Sequence, residues 1–253
     1  MYKISIIRNY TDIISLFQEF SEMCRAGYHL LFRGESKTTY KLVPSIARFQ
    51  PRNGDLIRSE KQCFDDFMKY ITKENIENFK LESYNPEMFY MSTGRHLGLS
   101  CRLIDWTARL ETALYFASKE NGNECGQLHI LKQKGQLSDD TAKISPFDVK
   151  ELTIVKEGFY SKDDRSIRNF PMGELRRFRQ NGFFTVSPTN CLQTPINEMN
   201  VKDIEFEKIL ISADAKREIM QNLAPDYKNY VYDFECNEET EVKRINAKYF
   251  HVE

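Results

Sequence analysis

An apolar run that ends on an arginine restricts this chain more than any other feature. Leu30-Leu31-Phe32 leads directly into Arg33-Gly34-Glu35. The stretch Tyr28 to Arg33 is short and follows Gly27, so it reads as a buried strand rather than a helix, with Gly34 closing it. An arginine at the end of a buried strand is costly to desolvate unless its five donors are paired. Its flat fork matches a phosphate or a carboxylate. Gly34 lets another backbone or a ligand come close. Arg33 is therefore either a ligand anchor or a structural arginine held by a carboxylate such as Asp105 or Glu60. The segment taken alone favours the structural reading.

The 253 residues suffice for one large domain or two small ones around a buried core. Charge is nearly balanced, with 36 Lys and Arg against 37 Asp and Glu, so bulk charge demands neither a nucleic-acid nor a membrane partner. No apolar run approaches the roughly 20 residues that span a bilayer. The start, Met1-Tyr2-Lys3-Ile4-Ser5, does not read as a signal peptide. The six cysteines, Cys24, Cys63, Cys101, Cys125, Cys191 and Cys236, include no CxxC pair. Free thiols in a reducing, cytoplasmic setting are expected.

Patterning predicts one α+β domain. Thr11 is the expected cap of a helix running to about Ala26, with Gly27 as its stop. A second helix is expected from Leu56 to about Phe79. A third starts at Pro86 and ends at Gly94 or Gly98, and a fourth covers Leu110 to Lys119. Strands are expected at Leu103-Ile104, Gly126 to Leu131, Leu152 to Val155, Phe183 to Val186, Lys208 to Ile211 and Tyr230 to Phe234. A helix is expected over Ala213 to Leu223. There is no internal repeat or low-complexity tract.

Two further clusters could carry chemistry. Arg95-His96-Leu97-Gly98 runs on to Arg102-Leu103-Ile104-Asp105-Trp106-Thr107, a polar group at a strand end, where α/β scaffolds often place sites. Trp106 could stack on a base or a nicotinamide ring. Asp105 or Thr107 could instead cap the helix that follows. Arg176-Arg177-Phe178-Arg179-Gln180 is a local positive patch that could end a helix at Gly182, line a pocket through Gln180 or bind nucleic acid. The phosphate-cradling GxxxxGK[ST] and GxGxxG loops are absent, as are HExxH, zinc-spaced Cys/His clusters and GxSxG. No metal site is expected.

The clusters in this order resemble the FRG-domain family. The matching pieces are Leu31-Phe32-Arg33-Gly34-Glu35, Pro44-Ser45, His96-Leu97-Gly98, Arg102 to Thr107, Ala113-Leu114-Tyr115-Phe116-Ala117 and Gln180 to Phe184. Cys101 stands where the family usually has threonine. The motif order is also similar to that of ADP-ribosyltransferases of the Arg-Ser-Glu type. That resemblance implies a single domain with a mixed, mainly antiparallel central sheet flanked by helices. Its expected divisions are an N-terminal helical segment over 1–27, an FRG domain over 28–235 and a tail over 236–253. It implies NAD as substrate, gripped by Arg33 and Gly34 with His96, Arg102, Trp106 and Thr107. Asp105, Gln180 and Glu207 (in Glu205-Phe206-Glu207) would be the catalytic groups. The implied activity is ADP-ribosyl transfer to a protein or nucleic-acid acceptor, or NAD cleavage by a toxin or antiphage effector. The alternative is a non-catalytic module that senses a nucleotide or a protein through the same cleft.

Overall fold

The computed structural model describes residues 5–73, 85–135, 142–156, 182–227 and 237–251. Its core is a seven-stranded mixed sheet in the order β1-β8-β5-β2-β4-β7-β6. The strands are β1 (Ile6–Ile7), β2 (Tyr28–Glu35), β4 (Leu103–Thr107), β5 (Gly126–Lys134), β6 (Thr153–Lys156), β7 (Gly182–Val186) and β8 (Ile204–Ile211). Neighbours run antiparallel except β1 and β8, which are parallel. A separate two-stranded ribbon joins β3 (Gln50–Pro51) to β9 (Phe250–His251). The described residues hold six α-helices: α1 (Tyr10–Arg25), α2 (Leu56–Lys73), α3 (Pro86–His96), α4 (Leu110–Ser118), α5 (Ala213–Tyr227) and α6 (Asn237–Tyr249).

Register puts both helical layers on one face of the sheet. Phe32 lies opposite Thr107, and Asp105 and Leu103 alternate onto the same side. On that face Leu30, Phe32, Leu128, Ile130 and Ile209 are buried with residues of α1, α4 and α5. Leu103, Phe184 and Val186 are buried with residues of α2, α3 and α6. The opposite face, with Leu31, Ile104, Trp106 and Leu131, is covered by loop residues such as Leu42 and Ile196.

Several expectations shift. Asn9, not Thr11, caps α1, its side-chain oxygen accepting from the Asp12 amide at 3.1 Å. β2 does not stop at Gly34 but runs through it to Glu35. Gly27 and Gly98 take positive φ, at +85° and +91°, just past α1 and α3. The segment expected as a tail forms α6, whose Val242 and Ile245 are buried against the α2 side of the core. The Tyr230 to Phe234 strand lies outside the described residues, as does Cys236. The described cysteines are free thiols.

Two buried cations lock the frame. Lys216 on α5 is fully buried, and its ammonium donates to the carbonyls of Ser36, Glu120 and Asn121 at 3.0, 2.8 and 2.8 Å. Three acceptors satisfy its three donors and tie the end of β2 to the loop after α4. Arg102, at 0% side-chain exposure, pairs with Glu60 of α2 at 2.6 Å. Its remaining donors reach the Pro146 carbonyl and Thr189 Oγ1 at 3.1 and 3.0 Å.

Candidate functional site

β2 pairs with β5 along all eight of its residues but meets β4 at a single pair, Phe32 with Thr107. Past that pair the two strands separate, and a notch opens in the sheet. Arg33 stands in it. Its Nη1 donates to the Asp105 carbonyl at 3.0 Å, so a side chain occupies an acceptor that a strand ladder would have taken. A cavity of about 920 Å³ lies over the notch. Its walls come from β2 and β4, from the 3-10 turn Ser45–Arg48, and from α3, α4 and α6.

Gly34 explains how α4 reaches this place. A Cβ built there would lie 1.7 Å from the carbonyl oxygen of Ala113. Only a residue without a side chain lets the α4 backbone rest on β2, which brings Thr112, Ala113 and Phe116 to the cavity wall. The close approach is therefore that of the protein's own helix.

The polar contacts around Arg33 form a connected set. Arg33 Nε donates to Glu35 Oε1 at 3.1 Å, and Nη1 lies 3.5 Å from Asp105 Oδ2. Arg95 reaches that same Oδ2 with Nε at 2.8 Å and Nη2 at 2.7 Å. The other Glu35 oxygen accepts from Gln127 Nε2 at 2.8 Å and faces His129 Nε2 at 3.3 Å. Burial alone would raise the carboxyl pKa of Glu35. The close contact with His129, the Arg33 charge and the Gln127 hydrogen bond outweigh it and bring the group down to about 2. Asp105 is likewise pushed up by desolvation and pulled further down, to about 2, chiefly by Arg95 and then Arg33. Both carboxylates are ionised at neutral pH.

A stability profile follows with a definite sign. Folded-state values below the ordinary ones mean that Glu35 and Asp105 stabilise the fold above about pH 4.5. That stabilisation disappears as pH falls toward 2. Glu35, with 4% side-chain exposure, should account for roughly 3 kcal/mol of it. Urea denaturation at pH 6, 4 and 2.5 should show the loss beginning below 4.5, and a flat profile across this interval would refute the arrangement.

Of the residues singled out in sequence, Arg33, Gly34, His96, Asp105, Trp106 and Thr107 border this one cavity. His96 packs edge-on to Phe184, with ring centroids 5.6 Å apart. Thr107 Oγ1 accepts from the Arg109 amide at 3.1 Å at the entry to α4, whereas Asp105 does not cap that helix and pairs with arginines instead. Three expectations need correction. Arg102 is not at the cavity, because its guanidinium is wholly engaged in the core with Glu60. Trp106 is 3% exposed and its indole N–H is bonded to Thr185 Oγ1 at 3.0 Å, so its ring is core rather than a stacking platform. Glu207 ion-pairs with Lys132 and borders a different cavity, of about 320 Å³. Gln180 and the Arg176 to Arg179 patch lie outside the described residues.

Residues given no site role from sequence complete the walls. Ser45 exchanges hydrogen bonds with the Cys101 backbone, its Oγ donating to the carbonyl at 3.2 Å and accepting from the amide at 3.1 Å. Asn246 of α6 donates to the Gly98 carbonyl at 2.9 Å and accepts from the Ser100 amide at 3.0 Å. Pro44-Ser45 was a visible signal for the first. None existed for α6, which packs from far along the chain. Among the described residues no group of His, Cys, Asp and Glu could hold a metal, and no helix is long and apolar enough to cross a membrane.

These features define an α+β protein with an arginine-lined cavity at a split in its mixed sheet. The family model for the FRG domain matches residues 28–125, so this stretch is similar to that domain. The match contains every residue of the cavity wall except Glu239, Lys243 and Asn246 of α6. A search of curated proteins and a search of solved structures each found no match.

Proposed function

We propose that the cavity binds a nucleotide through its phosphates, and that the nucleotide is NAD, cleaved at the bond between nicotinamide and ribose. The observation that carries this reading is that Arg33 and the ionised Asp105 carboxylate share one cavity. Its volume, about 920 Å³, is that of a small-molecule site. Arg33 Nη2 donates to nothing among the described residues and can take a phosphate oxygen. In the reaction nicotinamide leaves with the bonding electrons, and the ribose carbon becomes oxocarbenium-like. A carboxylate nearby stabilises that charge. Water or an acceptor hydroxyl then attacks the carbon and releases its proton. Asp105, with a third of its side chain exposed, is the group suited to this role. In a cell such an activity would consume NAD and serve a toxin or an antiphage effector.

One observation favours a second reading, binding without turnover. Arg95 holds Asp105 Oδ2 with two nitrogens, and a carboxylate neutralised in this way stabilises a developing cation less well. Incubation with NAD separates the two. Turnover predicts free nicotinamide, and Arg33→Lys, which keeps charge beside Glu35 but loses the fork, should cut its release by at least about tenfold. Thermal stabilisation by NAD without nicotinamide or transferred label would establish a sensing module. Neither signal would eliminate both readings.

A further inference from the structure

The arginine that no motif singled out, Arg48, lies on the cavity wall at the end of the 3-10 turn after β2. We infer that Arg48 joins Arg33 and Arg95 to form a phosphate subsite, with Arg48 as its outer arm and a nucleotide pyrophosphate as its ligand. The inference rests on the nucleotide reading above and specifies where the phosphates go.

Three observations support it. First, each of the three arginines keeps donors in reserve. Arg33 commits Nε and Nη1, Arg95 commits Nε and Nη2, and Arg48 commits only Nη2, to the Val43 carbonyl at 3.2 Å. Arg33 Nη2, Arg95 Nη1, and Arg48 Nε and Nη1 donate to nothing among the described residues. Second, the charges do not cancel. Three guanidinium groups surround two carboxylates, because Arg33 and Arg48 both lean on Glu35 Oε1, at 3.1 and 3.9 Å, while Arg33 and Arg95 share Asp105 Oδ2. Among these five groups one positive charge is left over in a partly desolvated place, where an oxyanion binds better than in water. Desolvation and the neighbouring Arg33 charge both lower the Arg48 pKa, as expected for cations held together without enough anions. Third, the arm is anchored. Ser45 and Ile46 of the same turn bond to the Cys101 backbone two residues before β4, which fixes Arg48 relative to Asp105.

Exposure orders the arms. Arg33 and Arg95 side chains are 15% and 17% exposed, and Arg48 is 36% exposed. A phosphate therefore meets Arg48 at the lip and Arg33 and Arg95 deeper. A pyrophosphate carries two charged groups side by side, one for the lip and one for the deeper pair.

Calorimetric titration of wild type and Arg48→Gln with NAD, ADP-ribose and inorganic pyrophosphate tests the subsite. Arg48→Gln should weaken all three by roughly 10- to 100-fold, the effect of losing charge-assisted hydrogen bonds. Its melting temperature should stay close to wild type, because the side chain makes one structural hydrogen bond and one long, partly exposed ion pair. Wild-type binding of NAD that Arg48→Gln retains within twofold overturns the subsite and leaves the nucleotide reading standing. Binding of pyrophosphate but not NAD, lost in Arg48→Gln, upholds the subsite and overturns NAD as its ligand. No binding of any of the three by wild type overturns both.

Discussion

Arg102→Met should lower the free energy of unfolding by about 3–5 kcal/mol, one of the two largest single-site losses expected in this protein. The substitution leaves the Glu60 carboxylate, 1% exposed, buried without its cation. It also removes the donors to Pro146 and Thr189 and the cation over the Phe147 ring, 4.9 Å away. Replacing both Arg102 and Glu60 with methionine should recover much of the loss, since the penalty comes mainly from the orphaned charge. Urea denaturation of the two single variants and the double variant provides the cycle. A loss below about 1 kcal/mol for Arg102→Met would mean that the pair is not buried as described. Nucleotide affinity, measured on folded protein, should barely change, because Arg102 does not border the cavity.

Gly34→Ala should cost about 3 kcal/mol or more, at the upper end of what overpacking usually costs. The added methyl would fall 1.7 Å from the Ala113 carbonyl oxygen and 2.8 Å from the Ala117 amide nitrogen, both backbone atoms of α4. A flexible side chain could swing aside, but a helix backbone must move as a body. Its displacement would shift Thr112, Ala113 and Phe116 together, so ligand binding should fail even at temperatures where the variant stays folded. Thermal melting combined with the NAD titration checks both effects. A stable, binding-competent Gly34→Ala protein would contradict the packing of α4 on β2.

These two residues also show how much could be read from sequence. Arg33 and Gly34 stood out because an apolar run followed by Arg-Gly is locally unusual, and both border the cavity. Arg102 looked like the same kind of residue, an arginine beside a short apolar run. Its role is decided by Glu60, which sits on a different element and is brought near only by the fold. Trp106 departs from its expected stacking role for a related reason. Strand alternation alone did not say that Thr185 across the ladder would hold its indole N–H. The long periodic helices were legible, whereas the two-residue strands β1, β3 and β9 are too short to carry a pattern. Arg48 and Asn246 gave no sign because tertiary packing, not spacing, puts them at the cavity.

The place of α6 has a consequence for the order in which a ribosome would complete the cavity. Among the described residues, the wall runs from Phe32 to Glu120 and then resumes only at Glu239. Most of the enclosure, including Arg33, Arg48, Arg95 and Asp105, emerges well before α6 does. The residues that close it, and Asn246 that steadies the Gly98 to Ser100 turn, come more than a hundred positions later. A nascent chain would thus carry its cluster of arginines before the cavity has its last wall, and competence to bind would arrive only once α6 has emerged and packed.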